Sequence, residues 1–524
     1  MVNLNRAHAE KLLWMIIMTA IVIASVSCLL ASVTTFPDSG WGFLTWKNMQ
    51  HGGGFNILPE PDPDNIAENT YTFLTWWSPG QYLIPGGIAA FTGIKIGWAM
   101  AITSILFTVS GITGCYFLFE KLRFNQQTSM LSILVLCCQV QTLLPFSVYN
   151  GGEVLIFGVA PWFLLSCIDF KLKPFPLLLL VLLSWLGFIA KSSFLLLAAS
   201  GFLFIFLSWI SQRITFKQLV VKTSWLFIAG LAIILPIFFL FLQKGNNPSA
   251  AATGFNFSWL NIFYPAAIPL LTAFSADEVF NHFTHPGYMA YLPLTDLFFY
   301  APAFLFIIFV LYKIHAGRIG SNAYRRLLFT AYFFFTCFFF LQYCRHAAIS
   351  MEGRHYHILG LLFLPGVVQL VRDAKIKVVK RVLQVALLAL CLYGWNDYFN
   401  RWNINRKQMP GENSHVVQLF LDKATLIKIH QLDAQYPQQA LFVLMSPEGA
   451  MEIEHNRALV MPFNNMPENE ETDGYAGRVK KLFLIVPVQY ASGKTIQQIK
   501  ASFKDYKSFR EENISNLFKL YSGL

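Results

Sequence analysis

The first four hundred residues alternate between long apolar runs and short polar loops. Runs of bilayer-crossing character recur at 12–33, 95–119, 127–147, 152–170, 174–190, 193–211, 222–243, 297–312, 326–344, 356–371 and 381–398, which predicts about 11 transmembrane helices. Two more apolar stretches, 79–94 and 259–276, are short and interrupted by proline. Counting either one alone would invert everything downstream, so both read as interfacial or re-entrant helices lining an external cavity. After about residue 399 the pattern changes. Apolar, β-favouring runs at 440–445, 458–462 and 482–488 alternate with polar, helix-like segments such as 494–512, which predicts a small α/β domain. The expected architecture is a polytopic α-helical membrane domain over 1–398, with large external loops at 34–94 and 244–296, and a C-terminal extracytoplasmic α/β domain over 399–524.

The basic residues orient the spans. With the basic N-terminus inside, the dense groups Lys121/Arg123, Lys171/Lys173, Arg213/Lys217, Lys313/Arg318/Arg325/Arg326 and Arg372/Lys375/Lys377/Lys380/Arg381 all fall on the cytoplasmic side, as the positive-inside rule requires. The first span carries no small-residue cleavage site and reads as uncleaved. A bacterial cytoplasmic (inner) membrane with the polar loops facing outward is expected; an endoplasmic reticulum membrane with luminal loops obeys the same rule.

Composition agrees. The chain is 55% hydrophobic and 13% charged, with a mean hydropathy of +0.49, against about 25% charged residues in soluble domains. The net charge of +11 is spent on loop orientation, so no nucleic-acid partner is expected. All eight cysteines lie in or at the ends of apolar segments, and none has metal-ligand spacing.

The polar residues with chemical potential converge on the external side. Asp38 follows the first span, Glu153 opens the fourth, Lys191 sits between the fifth and sixth, and Arg354 precedes the tenth. A carboxylate near an acceptor hydroxyl can take its proton as a bond forms, so Asp38 is a candidate general base; in Asp38-Ser39-Gly40 it is equally good turn chemistry. Lys191 either marks a tight turn or meets an anion such as a lipid phosphate. The Arg354 guanidinium suits a bidentate phosphate clamp, or pairs locally with Glu352. Trp41, His51, Trp76 and Trp77 are candidate sugar or acceptor contacts, and an interfacial belt is the alternative for the tryptophans. Asp277, Glu278, His282 and His285 in the long external loop are candidate acceptor or metal contacts.

In order, these landmarks resemble those of the GT-C class of polyprenyl-phosphate-sugar-dependent glycosyltransferases, in particular the protein O-mannosyltransferase-like group and the lipid A aminoarabinose transferases. Asp38-Ser39-Gly40-Trp41, with Trp46 and Gly52, resembles their first external loop. Trp77-Ser78-Pro79-Gly80 stands where they carry a proline-rich segment, but the usual His-Pro-Pro is reduced to Ser78-Pro79, so that histidine's role is absent. Glu153 matches an acidic residue that many members have as Asp, and Lys191 matches a lysine after the fifth span. Arg354-His355-Tyr356 with Pro365 matches a late Arg-Tyr, with His355 inserted.

The resemblance implies inverting transfer of a monosaccharide from a polyprenyl-phosphate carrier to a hydroxyl on a lipid, glycan or protein acceptor. Asp38 and Glu153 would be catalytic, and Lys191, Arg354 and Tyr356 would hold the donor phosphate. It implies no certain cofactor; a divalent metal ion is optional. The rival readings are a transporter or lipid flippase, and a non-catalytic envelope assembly protein using its external domain.

Overall fold

The computed structural model describes residues 2–168, 170–212, 214–245, 254–284, 293–461, 463 and 474–524; Arg213 and His285 lie outside them. Every predicted span coincides with a helix or a bent pair of helices. Among the described residues, seven helices are long and apolar enough to cross a membrane, or up to nine if each of two bent pairs is one span. Gly152–Ile168 and Pro174–Ala190 are shorter apolar helices. The chain is an integral, multi-pass membrane protein. The 127–147 run is not one straight helix. Gln126–Leu136 and Val140–Phe146 meet at 69°, and Gln139 at the break spends its side chain on Ala273 O and His357. Gly80–Thr92 has only 13 residues, and Trp259–Thr272 turns by 116° into Ala276–Thr284.

The chain divides into two compact units. The first comprises residues 1–27, 104–146 and 152–400; the second comprises 28–103, 147–151 and 401–524.

In the first unit, Trp259–Thr272 packs against Pro293–Ala316, Asn322–Cys344 and His357–Asp373. Its prolines are compensated locally. Pro269 has no N–H to give the carbonyl of Pro265, and the Thr336 hydroxyl donates to that carbonyl instead at 3.4 Å. Tyr332 adds a bond to the neighbouring Ala266 O at 3.0 Å. Such replacement bonds are what a water-poor interior requires. Phe216–Leu240 and Lys377–Lys407 leave rows of Phe, Leu, Ile and Val exposed, Phe227, Phe239, Val385 and Leu392 among them, as lipid-facing helices do.

Among the described residues, the second unit holds all the strands. β1 (Thr34–Thr35), β2 (Ile57–Pro61), β3 (Asn69–Phe73) and β4 (Val148–Tyr149) form two small pairs, β1 parallel to β4 and β2 antiparallel to β3. β5 (Ala440–Leu444), β6 (Arg457–Val460), β7 (Lys481–Pro487), β8 (Phe509–Asn513) and β9 (Phe518–Gly523) make a mixed sheet of order β6-β5-β7-β9-β8. Period-two alternation splits its side chains between two cores. Leu441, Val443, Leu482 and Leu484 face Ile496 and Ile499 of the helix Gly493–Ala501. Phe442, Leu444, Phe483 and Ile485 face Leu426, Ile429 and Leu432 of the helix Lys423–Gln435. The helix-like 494–512 segment stops at Ala501, because Phe509–Asn513 pairs with β9 as an edge strand; tertiary pairing overrides a polar, weakly β-favouring composition. Arg457 ties the β2–β3 hairpin to the sheet by donating to Glu68 O, Asn69 Oδ1 and Ile66 O.

Glu452 anchors this unit's connecting loop. Fully buried, it accepts from Asn413 N, Ser414 N, Ser414 Oγ and His430 Nε2. Burial alone would raise its pKa; these donors override burial and hold it below the usual carboxylate range. The hydrogen bond to Glu452 in turn raises His430 above the usual histidine value. A histidine raised in the folded state stabilises below its unfolded pKa, and that contribution is lost as pH climbs through the folded value. The thermal midpoint of the wild type is therefore expected to fall more steeply than that of His430→Gln as pH rises above about 6.5; parallel curves would count against the pair.

Sidedness is tested by cysteine labelling at exposed positions. Leu122 and Asn150, natural choices from the loop pattern, are buried. Lys173 and Lys423 are exposed. Lys173→Cys should react with an impermeant thiol reagent only after permeabilisation, and Lys423→Cys without it. Labelling of both from one side would overturn the orientation.

Candidate functional site

The first unit brings Glu153, Lys191 and Arg354 together. Glu153 stands in the first turn of Gly152–Ile168. Lys191 follows Pro174–Ala190 in extended conformation, at the tight turn into Phe194–Ser211. Gly152 allows this approach, since a Cβ there would lie 3.0 Å from Ala190 O and 3.2 Å from the Lys191 side chain. Arg354 lies in the short turn Gly353–His355, where a Cβ on Gly353 would collide with the Asp277 carboxylate. Glu153 Oε1 receives Lys191 Nζ at 2.5 Å and Arg354 Nη1 at 3.4 Å. Arg354 Nε pairs with Glu352 at 2.5 Å. The Glu153, Lys191 and Arg354 side chains are 14–18% exposed and Glu352 is 40% exposed. Two shielded cations thus share one shielded carboxylate, and the other carboxylate is turned toward solvent.

Amide and imidazole groups surround the trio. His357 Nε2 lies 3.2 Å from Gln139 Oε1, and Gln141 donates to Glu278 at 2.6 Å. Gln141, Glu153, Arg354 and His357 line a cavity of about 10 Å³, room for about one water. Burial, and then the Lys191 and Arg354 charges, push His355 well below its ordinary pKa, so a neutral imidazole stands beside the two cations. Tyr356 is wholly buried, its hydroxyl 3.4 Å from that of Tyr343 and its ring beside Tyr264 and Phe339. Asp277 is buried against Gly353. Among the described residues no three His, Cys, Asp or Glu side chains are placed to hold a metal ion.

Asp277, Glu278 and His282 lie in the first unit too, whereas Asp38, Trp41, His51, Trp76 and Trp77 belong to the second. Asp38 is in the first turn of Pro37–Gln50, where helix N-terminal N–H groups favour a negative charge. Trp41 is half-buried on the same helix, and His51 caps its end beside a cavity of about 450 Å³. Trp76 and Trp77 meet edge to face at 5.6 Å. Sequence reasoning did not single out Gln139, Gln141 or Gly353. The signal for the glutamines was present, as amides inside an otherwise apolar span; Gly353 carried none.

No family model matches the chain, and no curated protein matches its sequence. Solved structures do match its fold. ArnT from Cupriavidus metallidurans in the apo state superposes with a TM-score of 0.53 at 11% identity, over 99% of this chain and 98% of that one. ArnT from the same organism bound to undecaprenyl phosphate gives 0.52 at 10% identity, over 98% of both chains. The archaeal oligosaccharyltransferase AglB from Archaeoglobus fulgidus, in complex with an inhibitory peptide and a dolichol-phosphate, gives 0.52 at 11%, over 97% of this chain and 74% of that one. The GT-C-like membrane fold expected from the sequence is therefore the fold of this chain.

Removing the shared carboxylate leaves two shielded cations facing each other. Glu153→Ala should cost about 3–5 kcal/mol of stability, the usual penalty for an orphaned buried charge. Adding Lys191→Met should restore a large part of it. Unfolding of the three variants in detergent measures this, and additive losses would show that the pair is not coupled.

Proposed function

We propose that the protein transfers a monosaccharide from a polyprenyl-phosphate carrier to an acceptor hydroxyl on the exoplasmic face of the membrane, with inversion at the anomeric carbon. The observation that carries this reading is the cluster in which Lys191 and Arg354 share Glu153. Two cations stand against the one shielded carboxylate, so the cluster has a positive charge to spare once the more exposed Glu352 turns aside, which suits a phosphate diester. The fold supports the reading too, since similar structures were solved with undecaprenyl phosphate or dolichol-phosphate bound.

The chemistry asks little covalent work of the protein. The carrier phosphate leaves as an already stabilised anion, so no strong acid is needed behind it. Lys191 and Arg354 screen the charge that develops on its oxygens as the sugar–phosphate bond breaks. Glu153 holds both cations in place and keeps them from repelling each other when the donor is absent. Asp38 takes the acceptor proton as its oxygen attacks the anomeric carbon, and the in-line arrangement of the three reacting groups supplies much of the rate. Trp41, Trp76 and Trp77 offer aromatic faces for sugar. Tyr356 acts from within the aromatic core, fixing the turn that carries Arg354. The membrane assigned is a bacterial inner membrane.

Lipid and glycan mass spectrometry on cells expressing wild type or Asp38→Asn tests the reading. Asp38→Asn should lower turnover by about 10²–10⁴-fold, the range for loss of a general base, so that a polyprenyl-phosphate sugar accumulates and one glycan disappears. Donor binding should persist in Asp38→Asn and weaken by about tenfold or more in Lys191→Ala and Arg354→Ala. A fully active Asp38→Asn would remove the base from the mechanism, and unchanged profiles with a folded variant would favour a transporter.

A further inference from the structure

The cavity of about 450 Å³ lies wholly within the second unit and has no part in the chemistry described above. The last turn of the helix Pro37–Gln50 and His51 form one wall; Asn413, Glu454 and His455 are on another. Its volume falls within the range of small-molecule sites, enough for one or two sugar rings. Its lining is amphipathic: Phe43, Trp46 and Met451 offer apolar surface, and Gln50 and Asn413 offer amide groups.

Lys47 is the unusual member. No protein group accepts a hydrogen bond from its ammonium or forms an ion pair with it among the described residues. Glu454, Asp433 and Glu452 are near it, and two of the three are committed elsewhere. Glu452 is filled by Asn413, Ser414 and His430, and Asp433 accepts from Glu454 N, His455 N and Asn456 Nδ2. Burial lowers the lysine's pKa against the pull of Glu454, Asp433 and Glu452. A half-buried ammonium that no protein acceptor engages, on the wall of a cavity, suits an anionic ligand. His51 and His455 stand on the same walls, and Glu454 is the only carboxylate of the described lining.

We propose that this cavity binds an acidic sugar residue, bearing a carboxylate or a phosphate ester, of the acceptor glycan. Lys47 is its counter-ion, Gln50 and Asn413 meet its hydroxyls, and Trp46 meets its apolar face. The acceptor assignment rests on the transferase reading. Asp38 and Lys47 stand on one helix nine residues apart, about 14 Å along its axis. The cavity is therefore a subsite for a residue remote from the attacking hydroxyl. It selects the acceptor rather than presenting the reacting group.

Binding of D-glucuronate, D-glucose 6-phosphate and D-glucose to the full-length protein in nanodiscs, followed by saturation-transfer NMR and calorimetry, tests the site without any donor. At least one acidic sugar should bind about tenfold or more tighter than glucose. The preference for glucuronate or for the phosphate names the acidic group. Lys47→Met, which keeps the length of the side chain and removes a desolvated charge, should fold with an unchanged or higher thermal midpoint and lose that preference. Asp38→Asn should keep it. Equal binding of all three sugars, or a preference that survives Lys47→Met, overturns the proposal, as does no binding by a folded wild type. If the preference holds while Asp38→Asn leaves cellular glycans unchanged, the cavity stays an acidic-sugar site and its assignment to an acceptor falls.

Discussion

A carboxylate taken out of water must be compensated, and at Glu153 two cations from two distant segments do it together. That requirement ties three segments of the first unit together. It brings the turn after Pro174–Ala190 against Gly152, and it holds the Gly353–His355 turn in place. The same economy governs the polar groups nearby. Gln139 serves both Ala273 and His357, and Gln141 serves Glu278. Polar side chains inside an apolar bundle turn to one another because lipid offers them nothing.

The second unit solves the same problem with backbone. Glu452 and Asp433 are buried carboxylates whose acceptor sites are filled largely by main-chain N–H groups of 413–414 and 454–455. Glu448 is built alike, accepting from Leu419 N and Phe420 N, although burial raises it to about 7. These carboxylates fix the connections around the sheet and are spoken for. Lys47 lies in their field without touching them, and this contrast sets its cavity apart from the packing around it.

The helices were legible because hydrophobic length is a local property: each apolar run became a helix within a few residues. Breaks were not. Nothing in the run 127–147 announces a 69° bend, which follows from what Gln139 bonds in the folded chain. The edge strand Phe509–Asn513 reads as polar helix until β9 is beside it. Glu153, Lys191 and Arg354 were legible as charges converging on one side from the ends of apolar runs, but their direct pairing was not, since no periodicity links residues that far apart. The integration of 28–103 with the C-terminal segment was hidden for the same reason. Arg457 and its acceptors at 66–69 are joined by three hydrogen bonds and nearly four hundred residues of chain.

The ion cluster also explains how a closed site can serve a bulky anion. The space beside Glu153 and Arg354 holds about one water, so a phosphate cannot simply be added to it. On the transferase reading, the phosphate exchanges with a partner. Arg354 already divides its charge between Glu153 and the solvent-facing Glu352, and giving up the exposed carboxylate costs little, since exposed pairs contribute about 0–1 kcal/mol. Giving up Glu153 would orphan a shielded charge and cost several times more. The phosphate should therefore displace Glu352 and leave the Glu153–Lys191 pair intact. Glu153 then stays the fixed frame of the site, and Glu352 is the part that moves.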